Sequence, residues 1–255
     1  MISITTENGI KTITLERSDK SNAINKSLLD ELNSAFKNQS QNEVHCIVLT
    51  GSGGKVFCAG ADLEERLGMS YIEIISFLDK FRETLKYIEE QELPVIALMN
   101  GSAFGGGLEL ALACDIRLGR EDSLIGLTET KLAIIPGAGG TQRLSRLIGI
   151  SKTKDLIFRA VRITGIEAFQ YGILNKVFSQ DSFTEDSKKY IEQIMSSAPL
   201  ALRYSKRAID AGFELTLEEG LDVERGEYLK TLETKDRVEA LNAFKEKRIP
   251  IFKGE

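Results

Sequence analysis

The sequence predicts an α/β protein in which a core of strands and helices is followed by a mainly helical region. Short apolar strand patterns alternate with amphipathic helix patterns over residues 1–196. Glycine turns stand where the period of the apolar residues changes from that of a strand to that of a helix. Over residues 199–247 the helical periodicity is almost unbroken. We therefore place a boundary between residues 1–196 and 197–255.

The composition is that of a water-soluble globular protein. The 255 residues are 42% hydrophobic and 28% charged, and no apolar run approaches the roughly 20 residues that a membrane span needs. A net charge of −5 at pH 7 argues against general nucleic-acid affinity, which requires a basic surface. Met1 leads directly into a strand pattern, so the expected compartment is the cytoplasm, with a processed organellar form as the alternative.

The three cysteines predict neither a disulfide framework nor a metal site. Cys46, Cys58 and Cys114 are odd in number, far apart in the chain and surrounded by apolar residues. Such cysteines are typical of buried free thiols in a reducing compartment. We therefore expect no metal.

The first elements form a hairpin, a helix and a buried strand. Residues 2–6 and 10–16 alternate in polarity around an Asn-Gly turn, and a helix beginning at Asn25 carries an apolar face. Residues 44–50 read as a buried strand that contains His45, the only histidine. Because no nucleophile stands in a recognisable context, a histidine-dependent triad is set aside. The glycine run at 51–54 lacks the residues of a phosphate loop or of a dinucleotide fingerprint.

A second glycine-containing turn follows at residues 57–63, Phe-Cys-Ala-Gly-Ala-Asp-Leu. Such a turn can leave backbone N–H groups free, although an ordinary turn with Asp62 as a helix cap is the alternative. Residues 71–90 then predict a long helix. We interpret its apolar stripe as core rather than as a ligand site: Ile74, Leu78, Phe81, Leu85 and Ile88.

A carboxylate interrupts the apolar run of residues 95–115. Residues 95–99 predict a strand, residues 105–107 a glycine turn and residues 108–114 an apolar helix that contains Glu109. The glycines allow a close backbone approach and leave amides free for a negative oxygen. Two interpretations stay open for this segment alone: a turn followed by an N-terminal Glu, and a catalytic carboxylate.

Glu129 stands in a similar setting, inside the glycine-rich connection of residues 126–144. It could be a solvated loop residue. If it meets Glu109 beside free amides, however, the two carboxylates could supply an acid, a base and oxyanion stabilisation together. Further along the chain, helices are predicted at residues 154–161, 165–171 and 184–196, and a strand at residues 174–178. In the helical region of residues 199–247, one helix is predicted to have its cap at Thr234.

Four motifs in this order resemble those of the crotonase, or enoyl-CoA hydratase, superfamily. They are the 57–63 motif, Asn-Gly-x-Ala-x-Gly-Gly-Gly-x-Glu-Leu from Asn100, Ala-x-x-Cys-Asp-Ile ending at Ile116, and Ile-Pro-Gly-Ala-Gly-Gly-Thr-Gln-Arg-Leu from Ile135. The resemblance implies a crotonase-type spiral of ββα turns as the catalytic core, residues 1–196. It also implies that residues 197–255 form a helical trimerisation region, giving a homotrimer or a dimer of trimers.

By motif position, the resemblance implies an oxyanion hole formed by the amides of Ala61 and Gly106. Glu109 would be the base that activates water, and Glu129 would give a proton to the α-carbon. The reaction would be syn hydration of a short-chain 2-enoyl-CoA to a 3-hydroxyacyl-CoA, with no cofactor beyond the coenzyme A of the substrate. The acyl pocket would be lined by residues 65–81. The residues expected to bind the substrate or its coenzyme A are Lys20, Ser21, Asn22, Ala23, Ala59, Gly60, Asp62, Leu63, Gly105, Gly107, Phe244 and Lys247.

Within the superfamily, the segments around Glu129 and near the C-terminus look most like the methylglutaconyl-CoA hydratase branch, also known as AU-rich RNA-binding proteins. This makes a methylglutaconyl-CoA hydratase one alternative and an RNA-binding protein another. That branch attributes RNA binding to a lysine-rich first helix, whereas residues 25–41 here carry only Lys26 and Lys37. An isomerase or a CoA-ester hydrolase of the same fold is the remaining alternative, and the intact glutamate pair argues against it.

Overall fold

The computed structural model describes residues 1–37 and 44–255, which form two compact units. The larger unit comprises residues 1–91 and 95–187, and the smaller one comprises residues 92–94 and 188–255. All strands among the described residues lie in the larger unit. In the part of the chain that the structure describes, no helix combines the length and the apolar character needed to cross a membrane.

Two sheets organise the larger unit. The strands of the first sheet are β1 (Ile2–Glu7), β2 (Ile10–Leu15), β3 (Cys46–Gly51), β5 (Val95–Met99), β7 (Ile116–Arg120) and β10 (Lys176–Phe178), in that spatial order. The strands of the second are β4 (Val56–Cys58), β6 (Ser102–Phe104), β8 (Leu124–Gly126) and β9 (Ile163–Thr164), also in that order. Hairpin β1–β2 and pair β8–β9 are antiparallel, and the other pairs are parallel.

The chain alternates between the two sheets. Each of β3, β5 and β7 is followed by a strand of the smaller sheet and then by helix, so three ββα turns follow one another. The α-helices are α1 (Lys26–Lys37), α2 (Leu63–Leu67), α3 (Tyr71–Glu89), α4 (Gly106–Leu112), α5 (Gly140–Ile148), α6 (Ile150–Arg159), α7 (Gly165–Tyr171), α8 (Phe183–Met195), α9 (Pro199–Gly212), α10 (Leu217–Thr231) and α11 (Lys235–Glu246). In residues 1–37 and 44–255, 3-10 helices span Ser18–Lys20 and Glu129–Leu132.

Most predicted elements are confirmed, because the apolar periodicity of each extends over enough residues to identify a strand or a helix. The apolar face of α1, formed by Leu28, Leu29, Leu32 and Phe36, is almost completely buried. Asp62 caps α2 by accepting hydrogen bonds from the amides of the two residues that follow Leu63. The three cysteines are buried and form no disulfide bond, in agreement with the expectation of buried thiols. Residues 38–41 of the predicted first helix lie outside the described residues.

Two expectations are corrected. The helix that contains Glu109 begins at Gly106, not Leu108, and ends at Leu112. Gly105 alone makes the turn, with φ +50°, and Gly106 and Gly107 are already helical. A Cβ at Gly107 would lie 2.1 Å from the Cys58 carbonyl oxygen. Glycine at position 107 therefore serves the close packing of α4 on β4.

The smaller unit is helical, as the periodicity predicts. Helices α9 and α10 pack on each other where Gly212 approaches Gly220: a Cβ at Gly212 would lie 3.5 Å from the Gly220 Cα atom. Helix α10 begins with a capping box in which the Thr216 hydroxyl and the Glu219 carboxylate bond each other's backbone N–H groups. The predicted role of this region in trimerisation stays a prediction.

Candidate active site

The ends of three neighbouring strands converge at one place in the larger unit. Strands β4, β6 and β8 are parallel neighbours in the smaller sheet, so their carboxyl ends lie at the same edge. The residues that follow these ends are 59–61, 105–106 and 128–129. The Gly105 N–H group donates a hydrogen bond of 2.9 Å to the Gly126 carbonyl oxygen and ties two of the ends together. Loop residues at such an edge are well placed to meet a ligand.

Two backbone amides lie close together at this edge. A Cβ built on Gly106 would lie 3.6 Å from the Ala61 nitrogen, and one on Gly60 would lie 3.0 Å from the Gly106 nitrogen. Gly60 has φ +93°, so only glycine makes this approach without strain. Within the described chain, neither the Ala61 nor the Gly106 N–H group donates to another protein atom. The two amides can therefore share one ligand oxygen.

Glu109 is a buried carboxylate that accepts hydrogen bonds from backbone amides at one of its two oxygen atoms. It lies in the first turn of α4 and is 3% exposed. Its Oε1 atom accepts hydrogen bonds from the amides of Ala138 (2.8 Å) and Gly140 (2.7 Å). Burial raises the pKa of Glu109, while these two hydrogen bonds oppose the rise. This leaves Oε2 as the atom available to a ligand.

Glu129 is a buried carboxyl group that lacks a protein partner on one oxygen. It opens the 3-10 helix after β8 and is 9% exposed. No described residue makes a hydrogen bond to its Oε2 atom. Burial, together with the negative charge of Glu109, raises the pKa of Glu129 to about 7. A buried polar atom without a partner is rare in proteins and is typical of a site that receives a ligand.

We expect Glu129→Gln to stabilise the protein more at pH 8 than at pH 4. A carboxyl group whose pKa rises from 4.5 to about 7 on folding costs stability as pH increases through this window, because the folded state disfavours the ionised form. Gln does not titrate, so the difference in melting temperature between the variant and the wild type should increase with pH. A difference that is constant from pH 4 to pH 8 would contradict the raised pKa.

Both glutamates and both amides line one cavity of about 1220 Å³. Of the other residues expected to bind substrate, Ala59, Gly60, Leu63 and Gly105 also line it. Much of the remaining wall comes from α3. The interpretation of the α3 stripe as core is wrong for its N-terminal half, since Ile74 and Leu78 line the cavity, whereas Leu85 and Ile88 are buried.

The expected substrate loop before α1 lies outside the lining of this cavity. Lys20 forms an ion pair with Glu64 at 2.8 Å, and Ser21 accepts a hydrogen bond from the Ala59 amide. The buried Asn22 side chain bonds backbone atoms of Arg17, Ser52 and Val56. The substrate-binding roles of these residues stay predictions.

Ala23, Asp62, Gly107, Phe244 and Lys247 also lie outside the cavity lining. The Arg17 guanidinium donates to the Ala23 carbonyl oxygen and to the Asp62 carboxylate. Phe244 lies on α11 and is 85% exposed, and Lys247 caps the end of that helix. Gly107 packs on β4. Their expected contacts with the substrate or its coenzyme A also stay predictions.

Sequence reasoning missed four basic residues of this region. Arg66, Lys131 and Arg162 line the cavity. Arg143 contacts the peptide segment that binds Glu109. It donates to the Ala138 carbonyl oxygen at 2.7 Å and pairs with the Glu89 carboxylate, with one N–O distance of 2.8 Å. Arg143 belongs to the motif that begins at Ile135, which was its only sequence signal. Among the described residues, no cluster of His, Cys, Asp and Glu could hold a metal ion.

Comparison with known proteins gives one consistent result. A family model described as "Enoyl-CoA hydratase/isomerase" matches residues 5–255. Over 249 residues the chain is 45% identical to the probable enoyl-CoA hydratase 2, mitochondrial, of Arabidopsis thaliana, covering 97% of this chain and 83% of that protein. It is 43% identical over 252 residues to methylglutaconyl-CoA hydratase, mitochondrial, of Mus musculus, covering 97% and 80%.

A solved structure extends the similarity to the fold. The crystal structure of enoyl-CoA hydratase from Bacillus anthracis superposes with a TM-score of 0.95 at 43% identity, covering 100% of this chain and 99% of that one. The crotonase fold predicted from the motifs is therefore confirmed.

Proposed function

Because this chain belongs to the enoyl-CoA hydratase/isomerase family, we propose that it adds water to the double bond of a short-chain 2-enoyl-CoA. One observation carries the proposal: two buried glutamates and two unpaired amides face the same cavity. An isomerisation needs only proton transfers within the substrate, whereas hydration needs a base for water and an acid for carbon. Two carboxyl groups with different hydrogen bonding match the second requirement.

The amides of Ala61 and Gly106 bind the thioester oxygen in this mechanism. Their hydrogen bonds draw electron density from the conjugated double bond, which makes C3 electrophilic. As water attacks C3, negative charge develops on the thioester oxygen, and the preorganised amides stabilise the resulting enolate. The donors are fixed by the backbone, so little reorganisation is needed during the reaction.

The two glutamates divide the proton transfers. Glu109 accepts a proton from water as the oxygen bonds to C3, since the hydrogen bonds from Ala138 and Gly140 favour its ionised form. Glu129, with a pKa of about 7, holds a proton near neutral pH and gives it to C2. Hydrogen and hydroxyl are delivered from the same side of the double bond, which gives syn addition. Exchange with water then restores both carboxyl groups.

The direct test is the loss of the ultraviolet absorbance of the conjugated thioester when the protein is mixed with crotonyl-CoA. We expect the absorbance to fall to a hydration equilibrium and 3-hydroxybutyryl-CoA to accumulate. An unchanged absorbance with bound crotonyl-CoA would refute the proposal. The expected homotrimer or dimer of trimers remains a prediction that sedimentation can test.

We expect Arg143→Gln to lower kcat by about 10-fold to 100-fold with a smaller effect on KM, because a small displacement of a catalytic group costs this much. Arg143 donates a hydrogen bond to the Ala138 carbonyl oxygen, and the Ala138 amide donates one to Glu109. The ion pair with Glu89 fixes the position of the Arg143 side chain. Arg143→Lys should restore part of the rate. The matched control is Arg146→Gln on the same helix. If kcat is unchanged in Arg143→Gln, Arg143 does not position the base.

A further inference from the structure

The two amides that face the cavity are positioned in different ways. Gly106 is the first residue of α4, so the helix fixes the direction of its N–H group. Ala61 lies between β4 and α2 and belongs to neither element. It forms an isolated parallel bridge with Ile24, which lies in the segment before α1. The position of the Ala61 amide therefore depends on how that segment, residues 21–24, is held.

The bridge between Ile24 and Ala61 sets the direction of the Ala61 N–H group. Ile24 donates a hydrogen bond of 2.7 Å to the Gly60 carbonyl oxygen and accepts one of 2.9 Å from the Asp62 amide. In parallel pairing, a residue bonds the peptide groups on either side of its partner and not the partner's own groups. The Ala61 N–H group therefore points away from Ile24. A displacement of Ile24 would move both bonded groups and turn this N–H group.

The Arg17 guanidinium connects the two segments that the bridge joins. One hydrogen bond goes to the Ala23 carbonyl oxygen, just before Ile24 in the chain. Another, of 2.9 Å, goes to the Asp62 carboxylate, just after Ala61. Because a guanidinium group is planar and rigid, two such bonds fix the distance between the two acceptors. Arg17 therefore fixes the spacing of the two segments at the Ala61 turn.

The ion pair between Arg17 and Asp62 is largely shielded from solvent. The two side chains are 12% and 10% exposed. Burial acts to raise the pKa of Asp62, but hydrogen bonds from Arg17 and from the first amides of α2 outweigh it and lower the pKa. Lys20 and Glu64 form a second ion pair between the same two parts of the chain, with side chains 48% and 81% exposed. Exposed pairs contribute little, so the shielded pair sets the geometry.

Arg17 lies outside the cavity, and its effect on the substrate passes through Ala61; this assignment rests on the proposed function. Neither Arg17 nor Asp62 lines the cavity, and each neutralises the charge of the other. We propose that Arg17 is a positioning residue that holds the bridge and so directs the Ala61 N–H group at the thioester oxygen. If this group is misaligned, the enolate loses stabilisation in the transition state, while substrate binding changes less.

The kinetic test compares Arg17→Gln with the wild type in the hydration of crotonyl-CoA. We expect kcat to fall by about 10-fold to 100-fold with a smaller change in KM, because a small displacement of a catalytic group costs this much. Arg17→Lys keeps a positive charge beside Asp62 but not the rigid fork, so it should recover part of the rate. Glu64→Gln is the matched control, because it breaks the exposed ion pair between the same parts of the chain and should leave kcat unchanged.

An infrared measurement separates positioning from stability. Butyryl-CoA labelled with carbon-13 at the thioester carbonyl has no double bond to hydrate, so its bound state can be observed at equilibrium. Hydrogen bonds from the two amides lower the stretching frequency of this carbonyl group. We expect a higher frequency in Arg17→Gln than in the wild type, a change in the same direction as in Gly106→Pro, which lacks one donor. Arg17→Lys should lie between, and Glu64→Gln should match the wild type.

The infrared frequency decides the assignment. If it is the same in the wild type, Arg17→Gln and Arg17→Lys, Arg17 does not direct the amide, and a lower melting temperature would then show that it only stabilises the fold. If Arg17→Gln does not fold, the comparison of Arg17→Lys with the wild type decides. If the wild type does not hydrate crotonyl-CoA, the proposed function fails, but unreactive butyryl-CoA still tests Arg17. A wild-type frequency equal to that of butyryl-CoA in solution would refute the oxyanion hole and this assignment with it.

Discussion

Glu109→Gln and Glu129→Gln are each expected to lower kcat for crotonyl-CoA hydration by about 10²-fold to 10⁴-fold, the usual contribution of a positioned acid or base. Gln keeps the size of each side chain but cannot accept or give the proton. In Glu109→Gln the water is not activated, and in Glu129→Gln the enolate is not protonated at C2. Measurement of kcat at saturating crotonyl-CoA separates these effects from weaker binding.

The double variant distinguishes a shared mechanism from two separate contributions. Residues that act as a unit are not additive, so Glu109→Gln combined with Glu129→Gln should cost little more than the worse single variant. Glu90→Gln is a suitable control, because Glu90 is exposed and, among the described residues, forms its only ion pair with Lys86 at 3.5 Å. If either single variant keeps the wild-type rate, that carboxyl group has no part in proton transfer.

Gly106→Pro is expected to lower kcat by about 10²-fold to 10³-fold, the cost of one missing oxyanion donor. Position 106 is the first residue of α4, where proline is tolerated because the N–H group has no acceptor within the helix. The variant therefore removes the donor with limited damage to the helix. Thermal melting of the variant checks that the fold is kept.

Gly106→Ala is the matched control for this effect. It adds the same Cβ atom, which would lie 2.9 Å from Cε1 of Phe81, but keeps the N–H group. The Phe81 ring must shift slightly, so a modest loss is expected in Gly106→Ala and a much larger one in Gly106→Pro. Equal losses in the two variants would assign the effect to crowding by Cβ and would contradict the role of the amide.

The sequence predicted best those features that depend on neighbouring residues. Strand β5 has its predicted bounds, Val95–Met99, because a run of apolar residues ends at an Asn-Gly turn. Helix α7 likewise matches its predicted residues, Gly165–Tyr171. The two glutamates were candidates because each carboxylate stands in an apolar or glycine-rich segment. The motifs then predicted the crotonase fold, which the comparisons confirm.

Features that depend on pairing between residues far apart in the chain could not be predicted from the sequence. Strands β4, β6 and β8 have three residues each, too few to show a period, yet their pairing brings the site together. The same limit applies to Arg66, which lines the cavity, and to Arg143, which donates to the Ala138 carbonyl oxygen, because the sequence pattern does not show what a charged helix residue will contact. The prediction that the first half of the α3 stripe is core is wrong for a related reason: periodicity identifies an apolar face but does not distinguish a cavity wall from packed interior.

The most direct test of the central claim follows the oxygen atom of water. Crotonyl-CoA is incubated with the protein in water enriched in oxygen-18, and the products are analysed by mass spectrometry. We predict that the label enters the acyl group at C3 and stays attached to coenzyme A as 3-hydroxybutyryl-CoA. Label in a free carboxylic acid would show thioester hydrolysis, and unlabelled product would show that no water is added to carbon; either result would contradict the proposed hydratase.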